Sequence, residues 1–278
     1  MKRRIASSRP SAIPAYVAEL VGTMLMIFNG LSWVCWNFSP ESPIVKLIPN
    51  PNVRLCLTAL CFAGGGTAIA YSPLGKRSGG HLNPSVTLGF WLMKKISTRD
   101  ALVYAFMQVI GAAIGAALVL VLWSDFARSV HLGATLLGKG VSPVMGFGIE
   151  VGITFLLMLT ILISVNSSIM PWTGAIAGAL VAFLVSTESP LTGTSLNPAR
   201  SFAPAALISI WQDQWIYWIA PPLGAALAAL LYRQGIIGTG KSYCSKLFHA
   251  SDIPCHHANC GYCSPTKVDV FRTTRRKL

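Results

Sequence analysis

The sequence predicts an all-α membrane protein in which six transmembrane helices and two re-entrant half-helices form an inverted repeat. Three observations predict this fold. Hydrophobic residues make up 53% of the 278 residues, charged residues make up only 11%, and the apolar residues come in blocks. Six of these blocks approach the length of about 20 residues that a spanning helix needs. Two further, shorter blocks each begin with an Asn-Pro pair.

The six predicted spans divide the chain into two halves of three. In chain order they cover residues 12–36, 53–71, 101–123, 144–165, 169–186 and 215–232. We therefore assign residues 1–11 to a basic arm and 12–233 to the membrane domain, with repeats at about 12–123 and 143–233. Residues 234–278 form a basic tail that contains Cys and His and is predicted to be disordered.

The two Asn-Pro pairs predict helices that begin inside the membrane. Asn is a favoured N-cap and Pro is favoured at the first helical position, so helices should start after Asn83 and Asn197. The apolar runs that follow end at Lys94 and near Gln212, so both are too short to cross a bilayer. A half-helix of this kind directs its N-terminal N–H groups and the positive end of its dipole toward the membrane interior.

The two halves resemble each other in sequence. Residues 19–23 (Glu-Leu-Val-Gly-Thr) in the first span parallel residues 150–154 (Glu-Val-Gly-Ile-Thr) in the fourth. Because each half has an odd number of spans, the second half must be inverted relative to the first, and Asn83 should lie opposite Asn197 near the midplane. Close helix crossings are predicted at the small-xxx-small pairs Gly111/Gly115, Gly148/Gly152 and Gly174/Gly178.

The basic residues predict the orientation of the chain. The net charge of +13 does not indicate a nucleic-acid-binding protein, because Lys and Arg crowd before the first span, around the first half-helix and in the tail. With six spans these three groups share one face, which the positive-inside rule places in the cytoplasm. We therefore expect a multi-pass protein of the cell (inner or plasma) membrane with both termini cytoplasmic and no nucleic-acid partner.

The motifs Asn83-Pro84-Ser85 and Asn197-Pro198-Ala199-Arg200 resemble the paired signature of the aquaporin family, also called major intrinsic proteins. The resemblance covers roughly residues 14–232 and departs from the family pattern at Ser85, where Ala is usual. It implies an aquaporin-like fold and a homotetramer with one pore per chain. It also implies passive flow of water, alone or together with small uncharged solutes, with no enzyme activity and no cofactor.

The resemblance also assigns roles around the pore. The side-chain amides of Asn83 and Asn197 are expected to donate to one water oxygen from opposite sides, which breaks a proton-conducting chain of waters, while the two helix dipoles repel cations. The carbonyl groups expected to line the pore belong to Gly79, Gly80, His81, Gly193, Thr194 and Ser195. The expected selectivity filter consists of Arg200, Val185, Thr194 and either Phe62 or Ala63.

Two groups of residues predict different solutes. Water-selective relatives usually have His at the position of Val185, so Val predicts a wider constriction that admits glycerol or other small solutes. Four other positions match the water-type pattern of the family, and we give them more weight. They are Ser201, Ala205, Tyr217 and Trp218.

Glu19 and Glu150 lie within predicted spans, where a charged group needs a partner. We expect each to accept hydrogen bonds from the irregular backbone beside a half-helix, a structural role that the resemblance supports. The alternative is an ion-coupled transporter in which these acids carry protons, since transporters also use inverted repeats and broken helices. No mobile acid adjoins the Asn-Pro motifs, which favours a channel.

The tail contains several potential metal ligands. We expect no bound metal, because the residues are closely spaced for a zinc site and lie in a segment predicted to be disordered. The alternative is a zinc site in which Cys260 and Cys263 form a CxxC pair. The other candidate ligands are Cys255, His256 and His257.

Overall fold

The computed structural model describes residues 10–250, 253, 255–257 and 260–262. These residues form helices, turns and loops and no strand. In chain order the α-helices are α1 (Ile13–Phe38), α2 (Pro43–Leu47), α3 (Pro51–Tyr71), α4 (Pro73–Ser78), α5 (Pro84–Leu92), α6 (Thr98–Ser129), α7 (Pro143–Val165), α8 (Thr173–Thr192), α9 (Pro198–Ile208) and α10 (Gln214–Arg233). Single turns of 3₁₀ helix cover His131–Gly133 and Met170–Trp172.

Six of the described helices are long and apolar enough to cross a membrane, which confirms the predicted fold class. They are α1, α3, α6, α7, α8 with the turn before it, and α10. Large apolar side chains such as Leu60, Val121 and Phe183 remain exposed on their outer faces. This is the surface expected of helices that face lipid, because lipid tails solvate apolar side chains as well as a protein core does.

Polar caps and prolines set where many of the helices begin. The side chains of Ser42, Asn50, Ser72, Ser97 and Ser142 each accept a hydrogen bond from a backbone N–H in the first turn of the following helix. Most of these helices also have Pro in their first two positions, where its missing N–H costs nothing. These local signals explain why the predicted starts lie close to the observed ones.

Two helix ends differ from the prediction. The third span was predicted to end at residue 123, and α6 continues to Ser129 across a kink in which Ser124 has φ 9° and ψ −85°. The fifth span was predicted to end at residue 186, and α8 continues through Pro190 to Thr192. The polar run that begins at Ser186 resembles a loop in sequence, but its buried side chains, Glu188 and Thr192, have hydrogen-bond partners in the structure.

The inverted repeat is visible at two close helix crossings. A Cβ atom added to Gly111 of α6 would lie 2.2 Å from the carbonyl oxygen of Leu20 in α1. A Cβ atom added to Gly224 of α10 would lie 2.3 Å from the carbonyl oxygen of Val151 in α7. Leu20 and Val151 directly follow Glu19 and Glu150, so both crossings lie beside the buried acids.

The predicted close crossing at Gly148 and Gly152 is wrong within this chain. A Cβ atom at either position would meet nothing within 4 Å among the described residues. By contrast, one added to Gly115 would lie 2.4 Å from the carbonyl oxygen of Met24, and one added to Gly178 would lie 2.0 Å from the hydroxyl oxygen of Thr67. The spacing alone therefore does not identify which glycine pairs face a neighbouring helix.

Candidate functional site

The half-helices α5 and α9 begin at the centre of the molecule, where both asparagines cap them as predicted. The side-chain oxygen of Asn83 accepts from the backbone N–H of Ser85 at 2.8 Å. The side-chain oxygen of Asn197 accepts from the N–H groups of Ala199 and Arg200 at 3.0 and 3.4 Å. Both amide nitrogens remain for other partners.

The two asparagines bond reciprocally to the opposite loop. Asn83 Nδ2 donates to the carbonyl oxygen of Leu196 at 2.9 Å, and Asn197 Nδ2 donates to the carbonyl oxygen of Leu82, also at 2.9 Å. Each NH₂ group carries a second hydrogen. Both asparagines line the central cavity, so this second donor is available to a molecule inside it.

Each loop before a half-helix is held by one buried glutamate. Glu19 accepts from the N–H groups of the two residues before Asn83, at 3.0 and 2.8 Å. Glu150 accepts from the N–H groups of the two residues before Asn197, at 2.8 and 3.1 Å. Both glutamates are completely buried. These contacts are the arrangement expected for structural acids, because they satisfy loop N–H groups that have no helical partner.

The loops also share an unusual backbone conformation. Leu82 and Leu196, each directly before an asparagine, have positive φ values of 51° and 58°. Such values are uncommon for residues with a side chain and persist only where the surroundings hold them. The two glutamates supply that restraint, because each bonds to the N–H of the leucine itself.

Two buried tyrosines brace the other end of each loop. Tyr104 Oη donates to the carbonyl oxygen of Ser78 at 2.8 Å, and Tyr217 Oη donates to that of Thr192 at 2.9 Å. Ser78 and Thr192 each lie five residues before the asparagine of their loop. Tyr104 was not identified from the sequence, although its position before Gly111 matches that of Tyr217 before Gly224.

The predicted filter residues all line the central cavity. Arg200 is buried and its Nη1 donates to the carbonyl oxygen of Gly133 at 2.8 Å, while its Cζ lies 5.8 Å from the centre of the Phe62 ring. Phe62 and Ala63 both line the cavity, as do Val185 and Thr194. Phe62 is therefore the residue of α3 that packs beside the arginine.

Thr194 has a partner that sequence analysis missed. Its hydroxyl donates to Glu188 Oε2 at 2.5 Å and lies 2.9 Å from the hydroxyl of Ser189. Glu188 is buried and also contacts the hydroxyl of Thr192, which lies 2.7 Å from Glu150 Oε1. Glu150 and Glu188 therefore both contact the Thr192 hydroxyl. The Thr194 hydroxyl already has partners in Glu188 and Ser189.

The central cavity has a volume of about 480 Å³ and runs between the two loops. Five of the six residues predicted to supply pore-lining carbonyls border it: Gly80, His81, Gly193, Thr194 and Ser195. Gly79 does not. Its carbonyl oxygen accepts the N–H of Leu247 at 3.0 Å, so the tail occupies an acceptor that the sequence assigned to the pore.

Comparisons with known proteins agree with this geometry. Residues 6–232 match the family model described as major intrinsic protein. The chain belongs to the major intrinsic protein family.

Individual relatives of this major intrinsic protein come from animals and plants. It is 36% identical to aquaporin-4 of Mus musculus over 223 residues, which are 79% of this chain and 66% of the mouse protein. It is 34% identical to the probable aquaporin PIP1-5 of Arabidopsis thaliana over 235 residues, covering 80% and 78% of the two chains. The solved structure of the aquaglyceroporin from Plasmodium falciparum superposes with a TM-score of 0.67 at 23% identity, covering 82% of this chain and 98% of that one, which supports the fold.

Ser85, where this major intrinsic protein departs from the usual Ala, is completely buried. Its hydroxyl has no hydrogen-bond partner among the described residues. Burying a hydroxyl without a hydrogen-bond partner lowers the free energy of unfolding. Ser85 therefore adds no stabilising hydrogen bond to the motif among the described residues.

Within the tail, residues 244–247 are buried against the membrane domain. Besides the bond from Leu247 to Gly79, the carbonyl oxygen of Ser245 lies 2.6 Å from Nε2 of His81. The fully buried Lys246 donates from Nζ to the carbonyl oxygen of Lys76 at 2.7 Å. Leu247 itself lines the cavity.

The candidate metal ligands separate into two groups. Cys255 and Cys260 lie together with Cys244 and His249, and the four potential ligand atoms are all within 4.8 Å of one another. His256 and His257 belong instead to a second group with Asp100, beside Tyr104. The candidate ligands Cys255, His256, His257 and Cys260 are thus divided between two groups, and Cys263 lies outside the described residues.

The protonation of these groups follows from their surroundings. Hydrogen bonding with the Cys244 and Cys260 thiols lowers the pKa of Cys255. Burial lowers the pKa of His256 to about 4 and moves that of His257 well below its usual value. At neutral pH both imidazoles are therefore uncharged.

Proposed function

We propose that this protein is a passive channel for water that excludes protons and ions. The observation that carries the proposal is the reciprocal arrangement of Asn83 and Asn197, whose amides enter one cavity from opposite loops. A water molecule between them accepts from both free N–H groups. Its own hydrogens then point away from the centre in both directions, so no continuous proton chain passes this point.

Electrostatics adds a second barrier against cations. The half-helices α5 and α9 both begin at this centre, so the positive ends of their dipoles meet there. Arg200 adds a full positive charge to the wall of the same cavity. The helix dipoles and Arg200 do not repel a neutral solute, because such a solute interacts with these charges only through hydrogen bonds.

Water is favoured as the solute over glycerol. The Phe62 ring beside Arg200 fills space at the constriction, and the two relatives compared above are named aquaporins. A second candidate function, conduction of glycerol or another small neutral solute, is favoured by Val185, which places an apolar side chain in the cavity wall. The Plasmodium protein named an aquaglyceroporin supports only the shared fold, at 23% identity.

An ion-coupled transporter remains a weaker alternative. It would need Glu19 or Glu150 to exchange protons with a solute. In the structure these carboxylates accept from loop N–H groups and from the side chains of Gln108 and Thr192, and neither glutamate borders the cavity. These contacts favour the structural role.

We further propose that the protein is a homotetramer of the cell membrane with both termini in the cytoplasm. The even number of spans supports a common face for both ends of the membrane domain, and the concentration of basic residues at those ends supports the cytoplasm. In this orientation the second half-helix approaches the centre from the face opposite the tail.

The test is a flux assay in proteoliposomes. Osmotic shrinkage faster than in empty vesicles, with no proton leak and no dependence on ionic gradients, is the expected result. Parallel measurements with glycerol and urea distinguish the two candidate solutes. Uphill uptake of any solute driven by a gradient would contradict a channel.

A further inference from the structure

We propose that Cys244, His249, Cys255 and Cys260 bind one zinc ion, and that this ion fastens the tail segment 242–250 at the mouth of the pore. The first part depends only on the ligand cluster. The second part, an effect of the metal on flux, rests on the proposed channel function.

The distances between the ligand atoms match those around zinc. Cys244 Sγ and Cys255 Sγ are 3.7 Å apart, and His249 Nε2 lies 3.2 Å from Cys260 Sγ. In a tetrahedral site with Zn–S bonds of about 2.3 Å, two sulfurs are roughly 3.8 Å apart, and a sulfur and a nitrogen roughly 3.5 Å apart. The four side chains can therefore receive the ion with small adjustments.

The ligand chemistry selects zinc over other common ions. Three sulfurs and one imidazole nitrogen form a Cys₃His set, which is typical of structural zinc sites. Hard cations such as Mg²⁺ and Ca²⁺ prefer oxygen ligands. A disulfide would compete for the same sulfurs, but the Cys244–Cys255 separation of 3.7 Å is far from the bond length of about 2.05 Å.

A buried lysine supplies the charge that such a site requires. Three thiolates around Zn²⁺ leave one net negative charge. Lys246, two residues after Cys244, is fully buried, and an ammonium in that environment requires compensation. One ligand of the proposed site, Cys244, lies two residues before Lys246, and the net negative charge of a loaded site would supply part of that compensation.

The tail segment is held by individual contacts and not by helix or strand hydrogen bonds. Residues 241–250, all described, form no helix or strand, although several of them are buried. Ordering these ten residues costs backbone conformational entropy, which other interactions must offset. Zinc binding commonly supplies the folding free energy of short segments without a large apolar core.

The coupling to the pore follows from the position of Leu247. It lies between the ligands Cys244 and His249 in the chain, its N–H donates to Gly79, and its side chain lines the cavity. Because two of the ligands flank Leu247 in the chain, a bound metal would hold Leu247 in the cavity wall. Loss of the metal would release the segment and widen the mouth.

The second cluster, Asp100 with His256 and His257, is the competing site. The Asp100 carboxylate already accepts from Tyr16 at 2.5 Å and from Ser97 at 2.7 Å. A metal there would have to displace these bonds, so we assign the ion to the sulfur cluster. The experiment includes variants that separate the two sites.

The metal is tested on the full-length protein, purified under reducing conditions with any affinity tag removed. We expect one zinc ion per chain by elemental analysis. After exchange with Co²⁺, we expect the visible bands of tetrahedral cobalt and a thiolate-to-cobalt charge-transfer band. Substoichiometric zinc, an octahedral cobalt spectrum, or recovery of a Cys244–Cys255 disulfide from reduced membranes would overturn the site.

Variants then identify the ligands. Cys260→Ser and His249→Gln should lose the zinc, whereas the controls Cys56→Ser, an exposed cysteine of α3, and His257→Asn should retain it. Gel filtration confirms that each variant is folded. Loss of zinc in His257→Asn but not in Cys260→Ser would assign the metal to the competing site. The cobalt spectrum of the unmodified protein tests the site even if a variant fails to fold.

Water permeability tests the coupling. In proteoliposomes, a membrane-permeant zinc chelator should raise the permeability of the unmodified protein. Cys260→Ser should show the higher value without chelator and no further response, and Leu247→Ala should show it while retaining zinc. Equal permeability of loaded and stripped protein would overturn the coupling. Full zinc binding with no permeability above empty vesicles would instead contradict the proposed channel function.

Discussion

Replacement of Glu150 by Ala should destabilise the loop before the second half-helix strongly. The carboxylate accepts the N–H groups of Ser195 and Leu196 at 2.8 and 3.1 Å in a completely buried position. Alanine leaves both N–H groups without this acceptor. Each unsatisfied buried donor costs about 1–3 kcal/mol, so the free energy of unfolding should fall by roughly 2–6 kcal/mol.

Glu150→Gln is the graded variant. Its side chain keeps one carbonyl oxygen, so one loop N–H can remain bonded, and we expect about half of the alanine effect. The Thr192 hydroxyl, which also contacts Glu150, keeps Glu188 as a partner and adds little to the loss. Glu41→Ala is the matched control, because it removes an exposed acid with the same change of charge.

The assay combines apparent Tm in detergent with water permeability per inserted channel. The alanine variant should show the lowest Tm and reduced permeability, the glutamine variant intermediate values, and the control no change. An alanine variant with the stability and permeability of the unmodified protein would refute the structural role. Loss of gradient-driven solute uptake in a stable glutamine variant would identify the acid as a proton carrier instead.

Three further changes test the pore and the fold. Val185→His should lower the ratio of glycerol to water permeability, because the larger side chain fills the constriction; an unchanged ratio would mean that residue 185 lies away from it. Ser85→Ala should leave permeability unchanged and Tm equal or higher, since it removes a buried hydroxyl without a described partner. Gly111→Ala should lower Tm, because its Cβ would lie 2.2 Å from a carbonyl oxygen of α1. Gly148→Ala should leave Tm unchanged, because nothing described lies within 4 Å of its Cβ. Equal effects of the two variants would contradict the close crossing of α6 and α1 at Gly111.

The half-helices could be predicted from the sequence because capping is local. Each asparagine accepts hydrogen bonds from N–H groups no more than three residues away. The Asn-Pro pairs at Asn83 and Asn197 are therefore sufficient to predict the helix starts. The inverted repeat followed from counting apolar blocks. The role of the two glutamates followed from the cost of burying an acid without partners.

Other features could not be predicted, because they depend on how short irregular segments fold back on themselves and on the helices beside them. Glu188 resembles a loop acid, and only the packing of the loop against α8 brings Thr194 within 2.5 Å of it. In the tail, the structure groups Cys260 with His249, a residue that its sequence spacing did not mark as a ligand, while Cys263 lies outside the described residues. Sequence spacing identifies candidate ligands, but the packing of the tail against the membrane domain determines which of them lie close together.

The reciprocal asparagine bonds have a consequence for the biogenesis of the protein. Asn83 and Leu196 are 113 residues apart, and Leu82 and Asn197 are 115 apart. At a synthesis rate of roughly 5–20 residues per second, the first half waits roughly 6–23 s before its partners leave the ribosome. During that interval the Leu82 carbonyl and the Asn83 amide lack the contacts that bury them. The nascent first half should therefore depend on the insertion machinery to shelter its loop, and the conducting centre should form only after the last three helices have entered the bilayer.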